Sequence, residues 1–176
     1  NVSTATGIQG LYPTLSNIIF DGNSQTACKL TSGGGRFMLS TIKNFNTAST
    51  TGALSADFIG CAITGNSAAV TASNAVVAYS EVYANTATAI KVSTAVKVLS
   101  YDNTGASTDG METGLFGSAV SGILVIGCSV IGNGRDGIRM GGRGYIIDCV
   151  LQSNGAYGIS ASGFTMNGIN NAFYAN

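Results

Sequence analysis

An apolar residue followed shortly by asparagine recurs along this chain at nearly constant spacing. The asparagines are Asn23, Asn46, Asn66, Asn85, Asn103, Asn133, Asn154 and Asn176, separated by steps of 23, 20, 19, 18, 30, 21 and 22 residues. Self-similarity at a fixed period of about 20 residues marks a chain in which one structural unit is stacked on the next. The flanks repeat as well. Five residues before the asparagine stand Cys61, Ser80, Val98, Cys128 and Cys149, with Asn171 in the last copy. Five residues after it stand Cys28, Ile90, Ile138 and Ile159.

Each unit reads as strands and corners. Glycine, asparagine, threonine, serine and β-branched residues crowd every segment and oppose helix. No stretch keeps an i, i+3, i+4, i+7 apolar pattern for three turns. Even spacing puts Cys128 with Val130, and Cys149 with Leu151, on one strand face. A short strand cannot bury its inner face alone, so successive units should stack about 4.8 Å apart. Equivalent residues then form columns, with isoleucine, valine, leucine and cysteine inside. The asparagine column is expected at a corner. There its tolerance of left-handed backbone would be used, and its amide would bond the amide of the next coil. Seven steps make a rod roughly 34 Å long. The reading is one all-β domain over residues 1–176, a single-stranded parallel β-helix solenoid of seven to eight coils. The 30-residue step should expel an insertion loop at about 104–118.

The phrases Asn133-Gly134-Arg135-Asp136-Gly137-Ile138 and Asn154-Gly155-Ala156-Tyr157-Gly158-Ile159 resemble the repeat of right-handed parallel β-helix proteins. That superfamily includes pectate-lyase-like enzymes and bacteriophage tailspikes. The resemblance runs from about Leu15 to Asn176 and is strongest after Gly122. It implies a fold more than an activity, since many activities share the scaffold. Gly7-Ile8 reads as half a coil, and Asn176 as a corner with no strand after it. The expectation is a segment of a longer chain, or ends covered by partner subunits.

Composition narrows the function classes. Eight basic and eight acidic side chains cancel, and only 9% of residues are charged, against about 25% in an ordinary domain. A nucleic-acid partner would need a basic face. No apolar run approaches the ~20 residues of a membrane span, and the start is not an intact signal peptide. With no histidine in the sequence, the commonest general base and metal ligand are missing. Four scattered cysteines (Cys28, Cys61, Cys128, Cys149) suit neither a disulfide scaffold nor a zinc site. They read as small buried hydrophobes.

Alignment of coils sets up two columns worth examining. One reads Thr88, Asp109, Asp136, Tyr157; the other Lys91, Glu112, Arg139, Ser160. The ordinary reading of the second is a cross-coil charge ladder, and the alternative a clamp for an acidic ligand. Two stacked aspartates should repel unless compensated. Arg135 is the nearest compensating group, Ca²⁺ another. The pair also looks like the acidic pairs of pectate-lyase-like and polygalacturonase-like enzymes, so Asp109 and Asp136 are the catalytic candidates. Glu112, Arg135, Arg139 and Arg143 are the ligand-binding candidates, because such a basic group could dock a sulfated or uronic sugar.

Two function classes remain. One is a structural and recognition rod of a virion (tailspike, fibre or head decoration) or of a cell surface. It would be homotrimeric or bound to other virion subunits, would carry a glycan site, and would need no cofactor. The other is a polysaccharide lyase or hydrolase. Outward apolar columns would favour the rod; a groove holding three or more acids would favour the enzyme.

Overall fold

A computed structural model describes residues 14–22, 35–45, 56–67, 70–88, 90–105, 108–113, 121–161 and 165–176. Every regular element among them is a β-strand, and every pairing is parallel. The chain is an all-β parallel solenoid whose described strands stack coil on coil into three faces.

The first face is an eight-stranded sheet of three-residue strands, from Ile19–Asp21 and Thr41–Lys43 through Ala62–Thr64, Glu81–Tyr83, Leu99–Tyr101, Ser129–Ile131 and Val150–Gln152 to Ala172–Tyr174. The second face starts with Thr14–Ser16, Gly35–Met38 and Ala56–Ile59. It continues through the later halves of Val70–Ala78 and Ile90–Val96, then Ser121–Ile126, Arg143–Ile147 and Met166–Ile169. The third face holds the earlier halves of Val70–Ala78 and Ile90–Val96, with Met111–Thr113, Ile138–Met140 and Ile159–Ala161. Five coils therefore carry all three strands, at about 21 residues per turn, slightly fewer than the seven to eight coils expected. The three coils before them are described on two faces only. Among the described residues no helix is long and apolar enough to cross a membrane.

Interior columns follow the pairing register. Phe37, Phe58, Val77, Ala95, Val125 and Ile146 fill one, and Ile42, Ile63, Val82, Val130 and Leu151 another; all are buried. Phe37 and Phe58 stack with ring centroids 5.2 Å apart, so the in-register column extends to aromatic rings.

The corners correct one expectation. The left-handed residue is not the column asparagine but the residue before it: Gly65, Ala84, Asp102, Gly132, Ser153 and Ala175. This residue turns the chain, and the asparagine then points inward. Asn66, Asn85, Asn103, Asn133 and Asn154 are buried. The Asn85 amide oxygen accepts from the Asn66 backbone N–H at 2.9 Å and from Asn66 Nδ2 at 3.0 Å. Its own Nδ2 donates to Asn103 Oδ1 at 2.9 Å and to the Ile63 carbonyl at 3.1 Å. The same links run from Asn103 to Asn133, Asn154 and Asn176. A corner breaks the strand ladder, leaving buried N–H groups that need partners. The asparagine amide supplies them and has its own donors and acceptors met.

Asn23 and Asn46 lie outside the described residues, as does Cys28. The register pairs Ile42 with Ile63, which places Phe45 rather than Asn46 opposite Asn66. Indeed the Phe45 N–H donates to Asn66 Oδ1 at 3.0 Å. A second corner precedes the short strands. There Asn17, Leu39, Gly60, Tyr79, Lys97, Gly127, Asp148 and Asn170 are left-handed. The residues after them include Cys61, Ser80, Cys128 and Cys149, the recurring position five before the asparagine, and Ser40, five before Phe45; all of these are buried. The expected loop at 104–118 is also revised. Residues 108–113 belong to the stack, with Met111–Thr113 paired on both sides. Residues 106–107 and 114–118 lie outside the described set.

Candidate functional site

The two aspartates meet at the turn that leads into the third face. Asp109 and Asp136 occupy equivalent positions on adjacent coils, since Gly110 N–H donates to the Asp136 carbonyl at 2.9 Å. Both carboxylates are withdrawn from solvent, Asp109 at 0% and Asp136 at 5% exposure. Arg135 grips Asp109 through two bonds, Nε to Oδ1 at 2.8 Å and Nη2 to Oδ2. The Asp136 backbone N–H also donates to Asp109 Oδ1, at 3.3 Å. Asp109 thus accepts three hydrogen bonds, and both of its oxygens are engaged.

Asp136 is less well served. Its Oδ2 lies 3.9 Å from Arg135 Nε, and its buried Oδ1 has no hydrogen-bond partner. Burial pushes its carboxyl above the usual range, and the charge of Asp109 adds to this. Arg135 and hydrogen bonds from Ser160 and the Tyr157 backbone pull the other way.

This geometry limits the chemistry. An acid–base pair must touch its substrate, and here both carboxylates face the interior of a corner. Ca²⁺ takes six or more oxygen ligands. Asp109 has already committed both oxygens to a guanidinium, and no group of three acidic or cysteine side chains among the described residues could hold a metal. The donor set does not fit the ion.

The second column lies one strand further on. Glu112 pairs in register with Lys91 on one side and Arg139 on the other. Lys91 Nζ is 2.9 Å from Glu112 Oε2, and Glu112 is buried. Arg139 is half-buried and engaged in an interaction of its own. Glu112, Arg135 and Arg139 are thus occupied by internal partners, while Arg143 stands apart and exposed on the second face. Cys61, Cys128 and Cys149 are free and buried; burial raises the thiol of Cys61, and the hydrogen bond with Cys149, followed by burial, raises that of Cys128.

Two features escape a reading by residue type alone. Met38, Ile59, Ala78, Val96, Ile126, Ile147 and Ile169 form one unbroken column on the second face. By alternation with the buried neighbours from Phe37 to Ile146 they lie on the outer side of the sheet, where Ala78 is buried, Met38, Ile59, Val96, Ile126 and Ile147 are half-buried and Ile169 is exposed. Ile169 is 49% exposed, and at the adjoining corner Leu39 and Tyr79 are 63% and 62% exposed. Second, a hollow of about 340 Å³ is lined by Gly122, Arg143, Gly144, Tyr145, Thr165 and Asn167. The signal for both was the period itself, applied to outward positions as well as inward ones.

No protein-family model, curated protein or solved structure matches this chain.

Proposed function

We propose that this β-helix is a structural and recognition rod of a virion surface, of the tailspike, fibre or head-decoration kind, or of a cell surface. In this reading three copies pack side by side through the second face, and the assembly binds glycan or further subunits. The outward column from Met38 to Ile169 carries the reading. Six steps of about 4.8 Å make it an apolar stripe ~29 Å long. Its half-buried members, with exposed Ile169 and the exposed corner residues Leu39 and Tyr79, offer apolar surface for a partner copy to cover. The low charge fits a surface partly covered by copies of itself. The parallel β-helix fold and its Asn-Gly corner phrases support kinship with tailspikes and pectate-lyase-like proteins. The enzymatic alternative loses its main support from the burial of Asp109 and Asp136.

Light scattering on the size-fractionated protein tests the reading. The expected mass is three times the 17.7 kDa chain. The double substitution Ile126→Glu, Ile147→Glu should give a folded monomer, because both side chains lie at the centre of the stripe and outside the core. A wild-type protein that stays monomeric at about 100 μM, where contacts of micromolar affinity are saturated, removes the trimeric rod.

A further inference from the structure

We infer that the buried pair Cys128 and Cys149 binds a single soft, two-coordinate metal ion of the Cu(I) class. The inference goes beyond the reading above and is independent of how copies of the rod associate.

The site follows from the register. Inward residues at the corner before the short strands form one column, Ser40, Cys61, Ser80, Val98, Cys128 and Cys149, with Asn171 next. Only Cys128 and Cys149 set two sulfurs on adjacent coils of it. The Val150 N–H donates to the Cys128 carbonyl at 2.9 Å, and Ser129 pairs with Val150, so the two cysteines stand in register. Both are free and 1% exposed, and their side chains are hydrogen-bonded to each other. Backbone N–H groups serve both sulfurs. Val98 donates to Cys128 Sγ at 3.5 Å, and Gly127 and Cys128 donate to Cys149 Sγ.

Geometry then sets the coordination. In-register side chains project in parallel from coils about 4.8 Å apart. A disulfide needs a torsion of about ±90° across its sulfurs, which parallel Cβ vectors oppose. A metal bridge makes no such demand. Two thiolate–metal bonds of about 2.3 Å in line span ~4.6 Å, close to the coil spacing. Thiolates select soft ions. Zinc takes four ligands, and among the described residues no third acidic or cysteine side chain joins the pair. An ion satisfied by two sulfurs, as Cu(I) is, fits what is there.

The step balances in atoms and charge. Two S–H bonds break, two S–Cu bonds form, and two protons leave to solvent. The weak thiol contacts to the Ile126 and Ile147 carbonyls, at 3.5 and 3.3 Å, are given up. The loaded pair carries one net negative charge, and the three backbone N–H groups already face it. Among the described residues only the coil from Met166 to Tyr174 stacks beyond Cys149, and its local opening admits the ion.

Anaerobic titration of the intact reduced protein with the acetonitrile complex of Cu(I) tests this. The expected result is ultraviolet thiolate-to-metal absorption that saturates at one ion per chain, with a higher melting temperature for the loaded protein. Zn(II) should give neither. Cys128→Ser and Cys149→Ser should each weaken Cu(I) binding at least about a hundredfold, since even the groups that orient a ligand are worth 10–100-fold. Serine already stands in this column at Ser40 and Ser80, so both variants should fold; if one does not, Cys→Val at the same position, as at Val98, takes its place. The double variant Cys28→Ser, Cys61→Ser should keep the full stoichiometry. Absence of saturable Cu(I) binding overturns the inference. So does binding that survives loss of Cys128 or Cys149, binding that follows Cys28 or Cys61, or equally tight binding of Zn(II). Light scattering on the same samples keeps the two proposals apart: a monomer that loads one ion keeps the site alone, and a trimer that loads none keeps the rod alone.

Discussion

At the scale of single residues, the asparagine ladder and Asp136 show two treatments of a buried polar group. Asn85 has donors and acceptors met by Asn66, Ile63 and Asn103. Asp136 leaves one oxygen unpartnered beside a second acid. A carboxyl whose folded-state pKa is raised is stabilising when protonated, and that contribution is complete below the unfolded-state value of about 3.9. It is lost as pH rises through the raised folded-state value. Asp136→Asn should therefore flatten the stability profile above pH 4. Near pH 7 it should match or exceed the wild type by on the order of 1 kcal/mol, the scale of an orphaned buried acceptor. Urea unfolding from pH 4 to pH 8 measures this; parallel curves for the two proteins would show that Asp136 carries no such linkage. The register of Asp109 on Asp136 was legible from the period, and so was Arg135 as the compensating group. Which acid Arg135 would take was not, because two neighbours compete for one guanidinium and only geometry decides.

At the scale of elements, the strands and the interior columns were legible because burial forces a common chemistry on positions that repeat. The corner residues were not, for the opposite reason. The turning residue points outward, so Asn44, Gly65, Ala84, Asp102, Gly132, Ser153 and Ala175 share a backbone conformation and no side-chain type. The short strand Met111–Thr113 was hidden by the length of its own step, which a spacing argument assigns wholly to a loop. The corner conformation has an energetic consequence. An alanine at φ 53° carries the crowding of its Cβ against the following carbonyl, which glycine lacks. Against this, glycine gains about 0.4–1 kcal/mol of freedom in the unfolded chain. Ala84→Gly should therefore be neutral to stabilising by up to about 1 kcal/mol. The same change at Ala95, buried in a strand at 0% exposure, should destabilise by at least that much. Thermal unfolding of both variants checks the sign, and a loss at Ala84 as large as at Ala95 would contradict this account of the corner.

At the scale of the whole molecule, a solenoid has no central core, only a column in which each coil covers the next. Burial in one column therefore depends on position along the axis. Leu151 is completely buried, whereas Phe173, paired with it in register and in the same inward column, is 53% exposed. Ile138 is likewise buried, and its partner Ile159 only partly so. Stability in such a stack is close to a sum of coil and interface terms, so opening proceeds from an uncovered coil inward. The side-by-side association proposed above would leave this order intact, because it would cover flanks rather than the end of the stack. Hydrogen exchange on the 176-residue chain should thus be slowest at Leu99–Tyr101 and Ser129–Ile131, which are paired on both sides. Exchange should be faster by about tenfold or more at Ala172–Tyr174, where each 1.4 kcal/mol of lost protection is a factor of ten. A uniform rate across these three strands would mean that the coils open as one unit. Stability would then reside in long-range cooperativity and not in coil-on-coil contact.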